Sequence, residues 1–552
     1  MPANEVIEKA KEVISAVPQF TGNITGVFRK KSTDVLINGA NNNTLKRTLN
    51  AFDLTILGIG AIVGAGIFAL IGTASAGSAG HLGAGPGIIL SLILTAMACS
   101  FAALCYAEFA AMIPVAGSAY TYTYATLGEI SAWFIGWMLM LEYAIGNITV
   151  ASSWSGYLMN FLQGFQGVLP HCITNPPLWL VHQYGSAVEK YKAMGIDPAQ
   201  HIPHLALPFA VFGIKSLYFA IDIPAILIIA IVTAFLYFGI KESTRMAFFM
   251  VILKLLVIFL FVGIGVFHVN PANWTPFVPN GFKGIMNGAY LMFFAYIGFD
   301  AVSTAAEETK NPQKDLPIGI ISSLAICTLL YIAVAAVLTG MVPFRNIDTH
   351  APIAIALNAV LSHSGSNQMT SSLIAGFISI GALAGLTSVL LVLQLGATRI
   401  LYAMSRDKLL PGIFSQVHPK FQTPHLNTLI LGGLVAILTL VFDLNRAAEL
   451  CNIGTFTAFM MVCSSILILR KVDPDRARPF KVPFSPVIPA LGAFTCLFLI
   501  IFGVKQETLI IFGWWIAIGM LIYFTYGFKK VSGEHLTEED TEILPEHLIN
   551  SI

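Results

Sequence analysis

Apolar residues in this chain run on for about 20 positions at a time, the length an α-helix needs to cross roughly 30 Å of hydrocarbon. Twelve segments meet or approach this length, near residues 54–76, 87–113, 131–161, 217–238, 245–267, 284–306, 317–340, 371–401, 426–443, 449–470, 486–504 and 508–528. Polar residues gather between them, and Arg and Lys cluster in alternate connections. The pattern predicts an all-α polytopic membrane protein of 12 transmembrane helices. Three parts follow: a segment over 1–50, a transmembrane domain over 51–530 and an acidic tail over 531–552.

Two segments are interrupted. The first holds Gly58-Ile59-Gly60-Ala61-Ile62-Val63-Gly64-Ala65-Gly66-Ile67-Phe68, and the sixth holds Ala295-Tyr296-Ile297-Gly298-Phe299-Asp300. Backbone groups freed from a helix at membrane depth have no water to bond. Such breaks are tolerated where they line a cavity or meet a ligand. A pair of broken segments at corresponding positions of two halves points to an inverted-repeat transporter. Close helix packing through small residues is the competing account of any one glycine motif.

Composition agrees: 56% of the 552 residues are apolar and 11% charged, so length does not count soluble domains here. The first fifty residues are too long and too polar for a cleaved signal peptide, leaving the first span as the insertion signal. With both termini in the cytoplasm, Arg29, Lys30, Lys31, Lys46, Arg47, Arg470, Lys471, Arg476, Arg478 and Lys481 fall on the inner side. This is the expected positive-inside bias. A multi-pass protein of a bacterial inner membrane is the expected location.

Val6, Ile7, Ala10, Val13, Ile14 and Val17 share one helical face, as an interfacial helix or a docked soluble one would require. The tail carries Glu534, Glu538, Glu539, Asp540, Glu542 and Glu546 and reads as solvated. Seven cysteines give neither a disulfide framework nor a zinc spacing. His171, His182, His201 and His204 lie in a long external loop, about 162–216, at spacings too irregular to predict a metal site. No cofactor, metal or nucleic-acid partner is expected.

Ionisable residues inside spans are expensive and each requires a reason. Glu142 sits near the middle of the third span, either as a site carboxylate or as a protonated tie between helices. Lys254 lies about 13 Å beyond Arg245 along the fifth span by helical rise, too deep for easy snorkelling, which favours an internal role. Asp300 follows the second break directly, where a helix cap and a gating or relay role compete. Glu108, Glu307 and Glu308 lie near inner ends, where solvated faces or gate salt bridges suffice.

Several ordered motifs together resemble the amino acid-polyamine-organocation transporters, in particular the cationic amino acid transporter branch and its bacterial members. They are the first glycine run with Phe68, Tyr106-Ala-Glu108, Pro114-x-x-Gly117, Leu141-Glu142-Tyr143, Phe294-x-x-Ile297-Gly-Phe-Asp300, Glu307-Glu-x-x-Asn-Pro312 and Arg399-x-x-Tyr402-x-Met404-x-Arg406-Asp407. The similarity spans roughly residues 45–530, and the external loop is longer than is usual in such bacterial proteins.

The resemblance implies a leucine-transporter-type fold, a 5+5 inverted repeat with broken helices 1 and 6 plus two peripheral helices. It implies a substrate carboxylate on the amides of Ala65 and Gly66, beside Gly64, at a half-helix N-terminus. The substrate ammonium would meet carbonyls of Ile62, Phe294 and Ile297, with Ala295 in the same break and Phe294 as an outer gate. Glu142 is a further candidate for the substrate site. Leu386 would form an apolar wall favouring neutral over cationic side chains.

Lys254 would replace a sodium ion, with Thr387 or Ser388 as partners and Asp300 in proton coupling. The implied function is secondary active L-amino acid transport by alternating access, as a proton symporter. An exchanger, a sodium symporter and a non-transporting amino acid sensor are the alternatives. A membrane enzyme lacks any nucleophile-base-acid set in the spans.

Overall fold

The computed structural model describes residues 29–31, 47–78, 81–115, 118–211, 214–218, 220–239, 243–363, 368–528 and 541–543. The expected amphipathic segment over 4–17 and most of the acidic tail lie outside these residues.

The protein is an all-α polytopic membrane protein. Helix α1 (Ala51–Ile62) opens on a capping box. The Asn50 side chain accepts from the amides of Phe52 and Asp53, and Asp53 accepts from the Asn50 amide. After a break the chain resumes as α2 (Gly66–Ala76), bent 45° from α1. There follow α3 (Ile88–Met112), a short α4 (Ser118–Thr126) and α5 (Glu129–Gln163). The loop helix α6 (Tyr184–Ala193) precedes α7 (Ile223–Phe238) and α8 (Ser243–Gly265).

The sixth span joins α9 (Gly281–Met292) to α10, a 3-10 helix over Phe299–Glu308. Beyond it lie α11 (Pro312–Met341), α12 (Pro352–His363) and α13 (Gln368–Arg406). The chain continues through α14 (His425–Leu438), α15 (Leu444–Val472), α16 (Val487–Gly503) and α17 (Gln506–Ile522).

Among the described residues, eight helices, or nine with the bent pair, are long and apolar enough to span a membrane. Three expected spans, α7, α14 and α16, are shorter than 18 residues. The two breaks fall in the first and sixth spans, five apart, where an inverted repeat would place them.

Several hydroxyl side chains inside the spans bond to their own helices. Thr95, Ser153, Thr233, Thr339 and Thr457 each donate to the carbonyl four residues back, so they cost little in hydrocarbon. Large apolar side chains such as Leu329, Ile437, Phe494 and Trp514 stay exposed, the expected outcome where lipid is the solvent.

Contacts gather on two faces. On the terminal face, where α1 begins and α17 ends, Leu49 pairs with Thr309, Tyr120 donates to Asp407 at 2.8 Å, and Tyr523 donates to Glu129 at 3.0 Å. Glu108, fully buried, accepts from the guanidinium of Arg470 and from the Val482 amide at 2.6 Å, with Arg478 at 3.6 Å. Glu108 is therefore enclosed in an ion cluster and does not lie on a solvated face. On the opposite face Glu449 binds His81 at 2.7 Å and Lys505 at 3.0 Å, and accepts from Thr508 at 2.8 Å.

The long loop also lies on the opposite face, as a small unit with its own core of Ala187, Tyr191, Ile202 and Ala220. Gln183 caps α6 and donates to the Val441 carbonyl. The His182 ring lies 5.1 Å from that of His350, in the connection before α12. Asp222, capping α7, accepts from Ser155 of α5 at 2.6 Å. Loop and bundle thus meet through buried titratable groups.

These groups have opposed charge preferences. Burial lowers the His350 pKa to about 4, nearby Lys190 adds to this and Asp348 opposes it; His182 is lowered for similar reasons. Burial instead raises Asp222 to about 7, against the Ser155 and Ala225 bonds and the Lys190 charge. The histidine contribution to docking is present above the free-ring value near 6.5 and is lost as pH falls toward 4. The Asp222 contribution has the reverse sign, gained as pH falls below 7. The expected outcome is a docked loop with little net pH dependence, in which the His350 ring stays neutral down to about pH 4. Imidazole nitrogen NMR of the full chain checks it; a His350 midpoint near 6.5 would mean the ring is not buried by the loop.

Candidate functional site

The site begins with what the first break does to the backbone. Helix α1 stops at Ile62 because Val63 turns extended (φ −74, ψ 101), so carbonyls of its last turn lose their intrahelical partners. The first amides of α2 likewise lack acceptors. Their ends carry opposite partial charge: a cation is favoured at the end of α1 and an anion at the start of α2.

Lys254 answers the first of these demands. Its fully buried ammonium donates to the Gly60 carbonyl, to the Val63 carbonyl at 2.9 Å and to Ser388 Oγ at 3.3 Å. Removing an ammonium from water costs several kcal/mol. Three acceptors at roughly 1.5–3 kcal/mol each bring the balance near even. One helix, α8, is thereby tied to the break and to α13. Thr387 is not part of this tie: it donates to the Leu383 carbonyl and accepts from Trp154 Nε1 at 3.1 Å.

The second break comes within contact of the first. Its chain runs through a short 3-10 turn (Phe293–Tyr296), an extended Ile297, and Gly298 at φ +119. A Cβ on Gly298 would lie 2.9 Å from the Ala61 backbone, and one on Gly66 only 2.3 Å from Ala295 Cα. These two positions require glycine for conformation and for approach, respectively. Tyr331 of α11 bridges the breaks, its hydroxyl 2.9 Å from the Ile62 carbonyl and 2.8 Å from that of Ala295. A phenol has one hydrogen, so it donates to one carbonyl at a time and leaves the other free for a second donor.

Between the breaks and helices α5, α13 and α15 lies a cavity of about 10 Å³, one water-sized sphere. Ile62, Gly64, Ala65, Gly66, Phe294 and Ile297 line it, as do Gly146, Val389, Leu393 and Cys451. The predicted residues of both breaks thus converge, with Ala295 packed behind Gly66.

Two predicted residues stand elsewhere. Leu386 is buried but the wall is supplied by Val389 and Leu393, three and seven residues on along the same helix. Glu142 lies one turn from Gly146, and Cys451 Sγ donates to its carbonyl at 3.2 Å. Helical spacing from Leu386 and Glu142 leads to Val389, Leu393 and Gly146; nothing local to Cys451 or Tyr331 marks them.

Asp300 accepts from Tyr143 at 2.9 Å through Oδ2, while its Oδ1, both carboxyl oxygens of Glu142 and the hydroxyls of Tyr106 and Tyr122 are buried without protein partners. An ionised carboxylate in such surroundings is expensive. These groups can carry charge when a cation or a donor comes to meet them.

The model of a family described as amino acid permease matches residues 49–526. A branched-chain amino acid permease of Bacillus subtilis (strain 168) is 46% identical over 504 residues, covering 91% of this chain and 98% of the relative. A methylthioribose transporter of the same organism is 42% identical, covering 92% and 99%. The chloroplastic cationic amino acid transporter 9 of Arabidopsis thaliana is 37% identical, covering 80% and 70%.

The two breaks and the cavity make different demands on glycine. Gly66→Ala is expected to lower thermal stability in detergent markedly, because its Cβ meets backbone at 2.3 Å. Gly146→Ala is expected to fold normally, its Cβ touching Cys451 Sγ and Leu393 Cδ1 at 3.4 Å. Gly513→Ala, with nothing within 4 Å, serves as the neutral control. Equal melting temperatures for all three would remove the contact between the breaks.

Proposed function

The chain belongs to the amino acid permease family, and we propose that it is a proton-coupled symporter of neutral L-amino acids working by alternating access. The observation that carries this reading is the Lys254 ammonium on the Gly60 and Val63 carbonyls and Ser388. A fixed, titratable cation there leaves little room or need for a sodium ion. In the proposed orientation both termini are cytoplasmic, in a bacterial inner membrane, and the terminal face is the inner one.

The substrate carboxylate binds the amides of Ala65 and Gly66, and its ammonium binds carbonyls of Ile62, Phe294 and Ile297. Tyr331 can turn its hydrogen to the Ala295 carbonyl and release that of Ile62 to the ammonium. With a cavity this small, an amino acid enters only when the gates open. Loss of the Lys254 proton to the inner side removes the charge and one of the three N–H donors that tie α8 to α1 and α13, and the weakened tie lets the inner half open. Asp300 and Glu142 lie toward that side and can pass the proton.

Side-chain selection follows from an apolar compartment of Val389, Leu393 and Cys451 over Gly146. It offers a cationic group no carboxylate among its lining residues. Relatives named for branched-chain amino acids and for methylthioribose agree with an apolar group at that end of the substrate.

Uptake into proteoliposomes is expected to be independent of sodium and stimulated by an inward proton gradient. Lys254→Met, which keeps chain length and removes the amine, should lose accumulation by about tenfold or more while expressing normally. A sodium requirement, or normal proton-driven accumulation by Lys254→Met, would overturn the reading.

Selectivity is checked separately. Gly146→Ala should raise KM for leucine and isoleucine by about tenfold and leave that for alanine nearly unchanged. A panel that includes lysine, arginine and methylthioribose identifies the substrate class; preference for a cationic amino acid would reverse the assignment of the compartment.

A further inference from the structure

Consecutive residues of α5 hold separate parts of the loop face. Ser155 donates to Asp222 at the head of α7 at 2.6 Å, Gly156 abuts His350, and Tyr157 donates to the Phe68 carbonyl of α2 at 2.6 Å. A Cβ on Gly156 would lie 3.3 Å from His350 Cβ, so the segment before α12 packs directly on α5. The same segment reaches α2. A Cβ on Gly72 would run into the Asp348 carbonyl, and Asp348 Oδ1 fixes the turn by accepting from the His350 and Ala351 amides at 2.7 and 2.8 Å. Residues 348–351 therefore form a short lid against α2.

Helix α2 leads from the cavity, lined by Ala65 and Gly66 at its start, to the loop face, where His81 just beyond its end meets Glu449. A water-sized cavity opens to that face only if α2 parts from what it touches, the lid included. The long loop grips the lid from its other side. The His182 ring lies 5.1 Å from the His350 ring, and burial favours the neutral form of both. Burial also lowers the pKa of Lys190 in α6, and the charges of Asp348 and Asp222 oppose this. One ammonium thus attracts both the lid and the cap of α7.

We propose that His182 and Lys190 are positioning residues of the transport cycle, which hold the lid on α2 through His350 and Asp348 and so set how often the cavity opens to the loop face. The proposal rests on the alternating access proposed above and adds what restrains one of its steps. Neither residue lines the cavity, so their loss leaves the central site intact. The population open to the loop face then rises, and whatever reacts only with that population reacts faster in proportion.

Cys451 reports this opening. Its thiol lines the cavity and is 1% exposed, whereas Cys172 on the loop is exposed. Intact cells expressing the full chain are treated with a small membrane-impermeant methanethiosulfonate, and both cysteines are read by peptide mass spectrometry. Labelling of Cys172 shows that the loop face meets the reagent. Without it the orientation is the reverse, and inverted membrane vesicles replace the cells.

The ratio of Cys451 to Cys172 labelling rates should rise about fivefold in Lys190→Met/His182→Ala. Lys190→Arg/His182→Phe keeps a charge and a ring and should stay within about twofold of the parent. Lys192→Met removes a charge from the exposed side of α6 and should do the same. Labelling of Cys105, Cys463 or Cys496, buried outside the cavity, would mark an unfolded double variant, and the same ratio in Lys190→Met and His182→Ala taken singly then decides. Excess leucine should slow Cys451 labelling in every chain; absence of protection counts against the proposed substrate, while the ratio alone decides the latch. An unchanged ratio in Lys190→Met/His182→Ala overturns the proposal, as does an equal rise in Lys192→Met or in Lys190→Arg/His182→Phe.

Discussion

The structure depends on one constraint: backbone groups released at the two breaks must find partners where no water is at hand. An unpaired carbonyl or amide in an apolar interior costs on the order of a few kcal/mol, and each break releases several. Lys254 takes two carbonyls of the first break, and Tyr331 stands between Ile62 and Ala295. Tyr157 from α5 donates to the Phe68 carbonyl at 2.6 Å. These donors come from α8, α11 and α5, so the helices around the site are held by the breaks themselves. In the proposed function the remaining backbone groups of the two breaks, whose residues line the cavity, receive the two charged ends of the amino acid.

The same donors make the arrangement able to change. Tyr331 has two acceptors for one hydrogen, and Lys254 holds three acceptors by a charge it can lose. Bonds of this type are exchanged for others at little net cost, whereas an apolar contact between the same helices would have to be broken outright. The buried carboxyls of Glu142 and Asp300 belong to this pattern, since each retains oxygens without protein partners. Ion clusters at Glu108 on one face and Glu449 on the other close the two ends of the bundle.

The long loop before α7 and the cavity at the end of α13 show how much of the chemistry lies away from the central site. The loop docks through rings and carboxyls whose pH preferences oppose each other, so docking changes little with pH. At the other face Asp407 is held by Tyr120, and the cations on either side of it face a separate space.

Membrane class, span order and the two breaks were legible in the sequence because hydrocarbon imposes one-dimensional rules: run length, charge bias and the cost of glycine in a helix are all local. Ile62, Ala65, Gly66, Phe294 and Ile297 were found for that reason, since a break announces itself in its own residues. The side-chain wall was not. Leu386 lies on the correct helix, but Val389 and Leu393 reach the cavity, because the rotation of α13 is set by its packing on α5 and α8. Ser388 and not Thr387 meets Lys254 for the same reason. Cys451 and Tyr331 carry no local signal, being an ordinary thiol and a tyrosine in apolar runs, and Gly146 is reached only by helical spacing from Glu142. Their roles come from convergence of segments distant in sequence, and only tertiary packing decides which face of each helix turns inward.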